Sequence, residues 1–312
     1  MGQRMKKFLG VFLATWISVS AGIADHYRKL DYKWGCIAPD KIDYVYMINL
    51  DQRPERWNNS TSQLASYGIF PERFPGIYGW DIPVDVLNDM SLKFKPGMWS
   101  GRGSVMVFRP EKNGEPDFIF LDESWYGKSC FSGWTVKGTI GCSLSHLSVL
   151  QDAYDSGYET IWVLEDDIKV LQDPNKLTNL IEDLDALVGV DGWDVLYTDY
   201  DYLVVHSNDE LVKQIPAMWR PDMLSFDLNI LATHSDVSDQ FLKIGSRMRA
   251  HSLIYRRCGI KKILDFYKEN NNFLPYDQEL ALVPDIQTFV VKDSVVSVNE
   301  QNSDTRCRYF GR

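Results

Sequence analysis

The 312-residue chain is long enough to bury a large core, as one large domain or two small ones, and its 45% hydrophobic and 13% aromatic content is that of a globular protein. A formal net charge of −10 argues against a partner gripped through nucleic-acid phosphates over a broad surface, while leaving room for a small basic pocket that holds a nucleoside diphosphate. The five cysteines include no Cys-x-x-Cys pair, which argues against a zinc ribbon; in an exported chain one or two disulfides would be open.

Arg4, Lys6 and Lys7 precede an apolar run over residues 8–24 that closes on the small residues Ala21, Gly22 and Ala24. A basic flank, a short apolar segment and small residues at its end make a secretory signal peptide, with cleavage after Ala21 or Ala24. The rival is an uncleaved anchor facing the cytosol. Against it, the run falls short of the ~20 residues of a membrane span and carries Thr15, Ser18 and Ser20. Residues 1–24 are thus set apart from a folded domain over 25–312, with any membrane association running through this N-terminus.

Tyr44–Asn49 reads as a first strand, rich in aromatic and apolar residues. Pro54 suits the first position of a following helix, with Trp57, Leu64 and Tyr67 on its apolar side and Gly68 at its end. Residues 74–81 read as a short second strand and turn. Residues 82–138 are rich in Gly, Trp and Ser and show little helical period, so they read as a β-rich insertion. Within it, Val105–Phe108 and residues 118–121 flank an Asn-Gly turn signal and predict a hairpin. Trp99, Trp125 and Trp134 in this region serve either as packing or as sugar-stacking platforms, with packing favoured for most.

Leu144, Leu147, Leu150, Ala153 and Tyr154 recur at helical spacing, and Gly157 closes that helix. Cys142 lies in the same pattern and reads as a small core residue; His146 reads as a satisfied core or boundary histidine. A strand over 161–164, a helix over 176–187 and a strand over 194–197 follow. Residues 198–248 give no clear pattern. A strand over 251–255, an amphipathic helix over 259–267 and strand material over 289–298 complete the chain. Strands alternating with helices predict an α/β domain.

Four segments carry candidate chemistry. Glu165, Asp166 and Asp167 stand together at the carboxyl end of the strand over 161–164, where α/β sheets place ligands. Their mutual repulsion calls for a positive partner, and a hard divalent cation such as Mn²⁺ or Mg²⁺ is the simplest; helix capping in a solvated turn is the plain alternative. Arg53 and Arg56 sit at a helix start, where the dipole is positive, which is better tolerated if an anion binds there. Pairing with Asp51 or Glu55 would also account for them. Asp199 and Asp201 follow the strand over 194–197 and line the same side of the sheet if that strand runs parallel to its neighbour. Asp277, in Pro-Tyr-Asp-Gln-Glu, reads as a general base if it reaches a hydroxyl, and as helix capping otherwise.

Taken together these segments resemble family-25 glycosyltransferases, which include bacterial lipooligosaccharide galactosyltransferases and procollagen galactosyltransferases. The resemblance runs through YVYMINLDQRPERW, FPGIYGWD, IGCSLSHLSVLQDAYDSGYETIWVLEDDIKV, WDVLY, HSLIYRRCGIKKIL with LPYDQEL, and Asn302-Ser303-Asp304-Thr305. It covers residues 42–305 apart from the insertion. It departs at Tyr78-Gly79, where the family has an Asp-Gly turn, and at Asp199-Tyr200-Asp201. The resemblance implies a GT-A type, Rossmann-like nucleotide-sugar fold with Mn²⁺ (or Mg²⁺) as cofactor. It also implies an inverting transfer of a hexose, galactose above all, from a donor such as UDP-galactose to a glycan or glycoprotein hydroxyl.

By matching position, Asn49, Leu50, Arg53, Arg56, Glu165 and Asp166 would face the donor. Asp167, with Glu165 and Asp304, would hold the metal. Asp277 would be the base, with Asp199 or Asp201 behind it. The rivals are an exported metal-dependent phosphodiester hydrolase and a non-catalytic glycan-binding protein. The first calls for more metal-ligating histidines than the five scattered here, and the second for loss of the acidic triplet or the two arginines.

Overall fold

The computed structural model describes residues 21–100, 104–112, 114–200, 219–223 and 227–299. Asp201, Asp304, Cys307 and the first twenty residues lie outside them. In chain order the elements are β1 (Tyr44–Asn49), α1 (Pro54–Ala65), β2 (Glu72–Pro75), α2 (Val84–Met90), β3 (Leu92–Lys93), β4 (Val105–Phe108), β5 (Pro116–Ile119) and β6 (Ser129–Ser132). There follow α3 (Lys137–Asp155), β7 (Thr160–Glu165), β8 (Ile168–Val170), α4 (Leu177–Val188), β9 (Val195–Tyr197), β10 (His234–Asp236) and β11 (Phe241–Ile244). The last are β12 (Ser252–Arg256), α5 (Arg257–Asn270), α6 (Tyr276–Leu280), β13 (Thr288–Val291) and β14 (Val296–Val298).

The main sheet has eight strands in the order β10-β11-β13-β9-β12-β7-β1-β2. β2, β1 and β7 run parallel, as do β9 and β13. β12 lies between β7 and β9 and runs antiparallel to both. The carboxyl ends of β1, β7 and β9 therefore share one rim of the sheet with the amino end of β12. The reversal of β12 was not visible in the alternation of strands and helices.

Strand residues alternate between two cores, as a pleated strand requires. Val45, Met47, Trp162, Leu164, Leu196 and Ile254 pack with Leu64 of α1 and Ile181 and Leu184 of α4. Tyr46, Ile161, Val163, Tyr197, Leu253 and Tyr255 pack on the other face with α3 and α5. All of these strand residues are buried, which is why β1, β7 and β12 read as near-continuous apolar runs.

The insertion forms a separate four-stranded sheet in the order β3-β6-β4-β5, and the β4–β5 hairpin is antiparallel as its turn signal predicts. Three expectations are corrected. The insertion also holds a helix, α2, whose seven residues are too few to show a period although Leu87 and Met90 are buried. The second strand is Glu72–Pro75, starting and ending earlier than expected, and the turn that follows it is a 3-10 turn at Gly79–Asp81. The run over 289–298 is two strands in two sheets: β13 joins the main sheet, while β14 pairs with β8 across a polar Lys292-Asp293-Ser294 bend.

Cys36, Cys130, Cys142 and Cys258 are all unbridged thiols. Among the described residues no helix is long and apolar enough to cross a membrane.

Candidate active site

Glu165 ends β7 and Ile168 opens β8, so the three acids form the turn between two strands at the ligand-binding rim. The helix facing them is brought close by two glycines. A methyl group on Gly141 would stand 2.5 Å from the Gly79 nitrogen and the Ile77 carbonyl, and one on Gly79 would stand 1.7 Å from the Lys137 carbonyl. Only paired glycines allow α3 to lie directly on the 3-10 turn. Ile77 N–H then donates to Ser145 Oγ at 2.8 Å and fixes the contact.

The packing aims Cys142 and His146 at the acids. His146 Nε2 lies 3.0 Å and Cys142 Sγ 3.7 Å from Glu165 Oε1. Burial raises the Glu165 carboxyl, but the His146 hydrogen bond and charge outweigh it and hold the group below its ordinary value. The Cys142 thiol is pushed well above its usual range by burial and by Glu165, so it stays protonated. His146 also stacks on Tyr276 with ring centroids 4.6 Å apart, tying α3 to α6.

The three acids differ sharply in environment. Asp166 points toward α1: its Oδ2 accepts from Asn49 Nδ2 at 2.7 Å, and Arg56 Nη1 lies 3.5 Å from Oδ1. Ser60 Oγ donates to its backbone carbonyl at 2.7 Å. Asp167 has no such support for its carboxylate. Burial, then the charges of Glu165 and Asp166, push it up to about 7, and its Oδ1 is a buried atom with no hydrogen-bond partner. A repelled, orphaned carboxylate oxygen is what a hard cation would satisfy, so the donor set fits Mn²⁺ or Mg²⁺ at Asp167. Cys142, His146 and Glu165 present a second set of candidate ligand atoms within 4.8 Å of one another. Its thiol and imidazole are softer, and its members already hydrogen-bond each other.

Two cavities meet at the acids. The smaller, about 80 Å³, is lined by Leu50, Arg56, Tyr78, His146, Asp166 and Asp167 among others. The larger, about 390 Å³, is lined by Trp134, Glu165, Asp167, Arg249, His251 and Asp277 among others. Asp277 stands in the first turn of α6. Its Oδ2 accepts from Arg249 N at 2.6 Å and its Oδ1 from Gln278 N at 2.9 Å. Burial raises its carboxyl above the ordinary value in spite of these bonds. Buried Glu279, paired with Arg220 and accepting from Phe273 N at 3.0 Å and Leu274 N at 3.2 Å, pins the segment leading into α6.

The structure therefore brings Leu50, Arg56, Glu165, Asp166, Asp167 and Asp277 to one cleft. Asn49 is instead a buried bracket: its Nδ2 also donates to the Arg53 carbonyl at 2.9 Å, and its Oδ1 accepts from Arg73 Nε at 2.8 Å. Arg53 caps α1 and lies 3.9 Å from Glu55. The anion expected at this helix start is, at Arg56, the protein's own Asp166. Asp199 shares the rim but does not line the cleft. It sits behind His251, its Oδ1 2.6 Å from Arg247 Nη2 and its Oδ2 2.9 Å from Ser297 Oγ. Asp201 and Asp304 lie outside the described residues.

Sequence reasoning set aside Cys142 and His146 and passed over Arg249 and His251. The signal for Arg249 and His251 was their position at the amino end of a buried strand, which would have counted had β12 been known to run backwards.

A large α/β sheet with helices on both faces and an acidic turn at a central strand end defines a GT-A-like glycosyltransferase fold. The chain belongs to glycosyltransferase family 25: the family model described as Glycosyltransferase family 25 (LPS biosynthesis protein) matches residues 42–280. Among curated relatives, a glycosyltransferase 25 family member of Aedes aegypti is 28% identical over 156 residues, which is 50% of this chain and 21% of the relative. Procollagen galactosyltransferase 2 of Mus musculus is 25% identical over 180 residues, 57% of this chain and 24% of the relative. Inactive glycosyltransferase 25 family member 3 of Homo sapiens is 24% identical over 163 residues, 51% and 22% of the two lengths. The chain thus aligns with less than a quarter of the length of each of these proteins.

Proposed function

We propose that the protein is a metal-assisted, inverting hexosyltransferase that moves galactose from a nucleotide diphosphate sugar to a hydroxyl of a glycan or glycoprotein. The observation that carries this reading is the presence of Asp167 and Asp277 in the lining of one cavity, the first suited to a cation and the second to a base. A family relative named procollagen galactosyltransferase supports the choice of sugar. A bound divalent cation would neutralise charge on the departing diphosphate, and Asp167 would hold it.

The chain's own groups do the rest. Arg56 and Leu50 line the smaller cavity and would receive the diphosphate end of the donor, with Asp166, itself held by Asn49, beside Arg56. Asp277 would accept the proton of the incoming hydroxyl, and its raised carboxyl makes it a stronger base than an ordinary aspartate. The hydroxyl oxygen then bonds to the anomeric carbon as the sugar–phosphate bond breaks, and the configuration inverts. Trp134, 65% exposed at the cleft wall, is available to stack on an acceptor ring.

Export fits one of the two cleavage points better. Ile23 is fully buried and its N–H reaches Asn271 Oδ1 at 3.3 Å, so cleavage after Ala21 keeps it in the core. The test of the function is a donor screen. Nucleoside diphosphate release is measured from several nucleotide sugars, with and without Mn²⁺. Mn²⁺-dependent release from UDP-galactose is expected, and no release from any donor would return the chain to the glycan-binding reading.

A further inference from the structure

His251 is 2% exposed at the amino end of β12, and its carbonyl accepts from Glu165 N at 2.9 Å. Its Nε2 lies 3.1 Å from Asp199 Oδ2. Asp199 is itself buried and held from three sides, by Arg247 through Oδ1 and its backbone carbonyl, by Ser297, and by His251. An ionised carboxylate has no hydrogen to give, so Nε2 carries the proton and Nδ1 is left with a bare lone pair. Nδ1 is buried and has no hydrogen-bond partner, although His251 is among the residues lining the larger cavity.

Two other residues lining this cavity carry orphan atoms: Gln278 Oε1 is a neutral amide oxygen, while Asp167 Oδ1 belongs to a carboxylate, so His251 Nδ1 and Asp167 Oδ1 are the stronger pair of cation ligands. A sugar hydroxyl, with one proton to donate, would satisfy only one of these two atoms. A divalent cation would satisfy both. An imidazole whose other nitrogen donates to a buried carboxylate is also the usual arrangement of a metal-binding histidine, because the carboxylate fixes the tautomer and the ring angle. His146 shows the same pattern, Nε2 on Glu165 and Nδ1 without a partner, but it stacks on Tyr276 and lines the smaller cavity, whereas His251 shares the larger one with Asp167 and Asp277.

We propose that His251 Nδ1 and Asp167 Oδ1 bind one divalent cation together, with Asp199 as the positioning residue that aims the imidazole. The proposal rests on the reading of the cleft as a metal-assisted transferase site.

Pulsed electron paramagnetic resonance of the full chain loaded with Mn²⁺ alone tests it. The wild-type protein should show nitrogen modulation from a directly bound imidazole, a measurement that needs no variant to fold. His251→Ala should abolish the modulation and weaken Mn²⁺ binding at least ten-fold, with His251→Gln as a second variant in case the first does not fold. His146→Phe should keep the modulation. Asp199→Asn should keep it too while weakening binding by roughly 10–100-fold. Absence of nitrogen coupling in the wild type, its survival in the His251 variants, or its loss in His146→Phe would overturn the assignment. Mn²⁺-dependent donor turnover without nitrogen coupling would overturn the ligand and leave glycosyl transfer standing. Nitrogen coupling without turnover of any nucleotide sugar would do the reverse.

Discussion

His146 Nε2 lies 3.0 Å from Glu165 Oε1, and this contact divides the labour among three consecutive acids. Glu165 is committed to α3 and Asp166 to Asn49 and Arg56, so of the three acids only Asp167 keeps a buried oxygen without a partner. Asp167→Asn is therefore expected to reduce nucleotide-sugar turnover by about 10²–10³-fold, the scale of losing one preorganised electrostatic contact. The same change removes a carboxylate repelled by two neighbours. In EDTA the thermal midpoint of the variant should equal or exceed that of the wild type, measured by differential scanning fluorimetry.

Asp277→Asn keeps the shape of the residue but not its basicity. Turnover should fall by about 10²–10⁴-fold, the usual contribution of a general base, while Mn²⁺ affinity stays unchanged by calorimetry. Burial raises the Asp277 carboxyl, so its basic form is gained only as pH rises past the ordinary aspartate range. The acidic limb of the wild-type pH–rate profile should therefore lie above 3.8, and the Asn variant should lack it.

Asp199 gives a stability signature with a defined sign. Burial would raise its carboxyl, but His251 and Arg247 outweigh that and lower it from 3.8 to about 2. A depressed carboxyl contributes stability that is complete above the unfolded value and is lost as pH falls through the folded one. The contribution is ~2 kcal/mol at ~1.4 kcal/mol per unit. Urea titrations should show Asp199→Asn less stable than wild type by about that much at pH 7, more if Arg247 is left uncompensated. The gap should shrink as the pH is lowered toward 2.

Gly141→Ala tests the contact that seats α3. On an open helix surface the change would stabilise by up to about 1 kcal/mol. Here the added methyl meets backbone atoms at 2.5 Å, so a loss of about 1–3 kcal/mol is expected in denaturant titration.

Trp134→Ala should leave the fold and Mn²⁺ binding intact, since the side chain is 65% exposed. If the indole is an acceptor platform, donor hydrolysis by water stays near wild type. The KM for a glycoside acceptor should then rise roughly five- to ten-fold, the equivalent of one aromatic contact. Equal KM values for the two proteins would remove Trp134 from the acceptor site.

Much of this was legible where composition and position agree. β1 and β7 declare themselves as continuous apolar runs and α3 by apolar residues at helical spacing, and the acids stand at the end of the strongest strand. What stayed hidden depends on pairing. The direction of β12 is set by its neighbours, β7 and β9, and nothing in Ser252–Arg256 encodes it. His251, read as the first residue of that strand, and Arg249 before it therefore looked as if they stood at the end of the sheet away from the acids. Asn49 looked like a ligand-facing amide because its three partners, Arg53, Asp166 and Arg73, are brought together only by the fold. Likewise, the pairing of Asp199 with Arg247 cannot be read from two residues 48 apart.

The insertion leaves the main domain at Gly79–Asp81 and returns at Lys137–Gly141, and these two points touch. It is thus a closed excursion, whose length can change in evolution without moving the strands that carry the acids. It is not detached from the chemistry, however. Asn272 exchanges backbone hydrogen bonds with Met90 and Leu92, and the Phe273 carbonyl accepts from Ser132 N and Thr135 Oγ1. These bonds brace the segment that leads into Asp277. A lineage that rebuilds the excursion to fit a new acceptor also resets the height of Asp277 above the cleft floor. Acceptor choice and catalytic rate in this chain would then be inherited together.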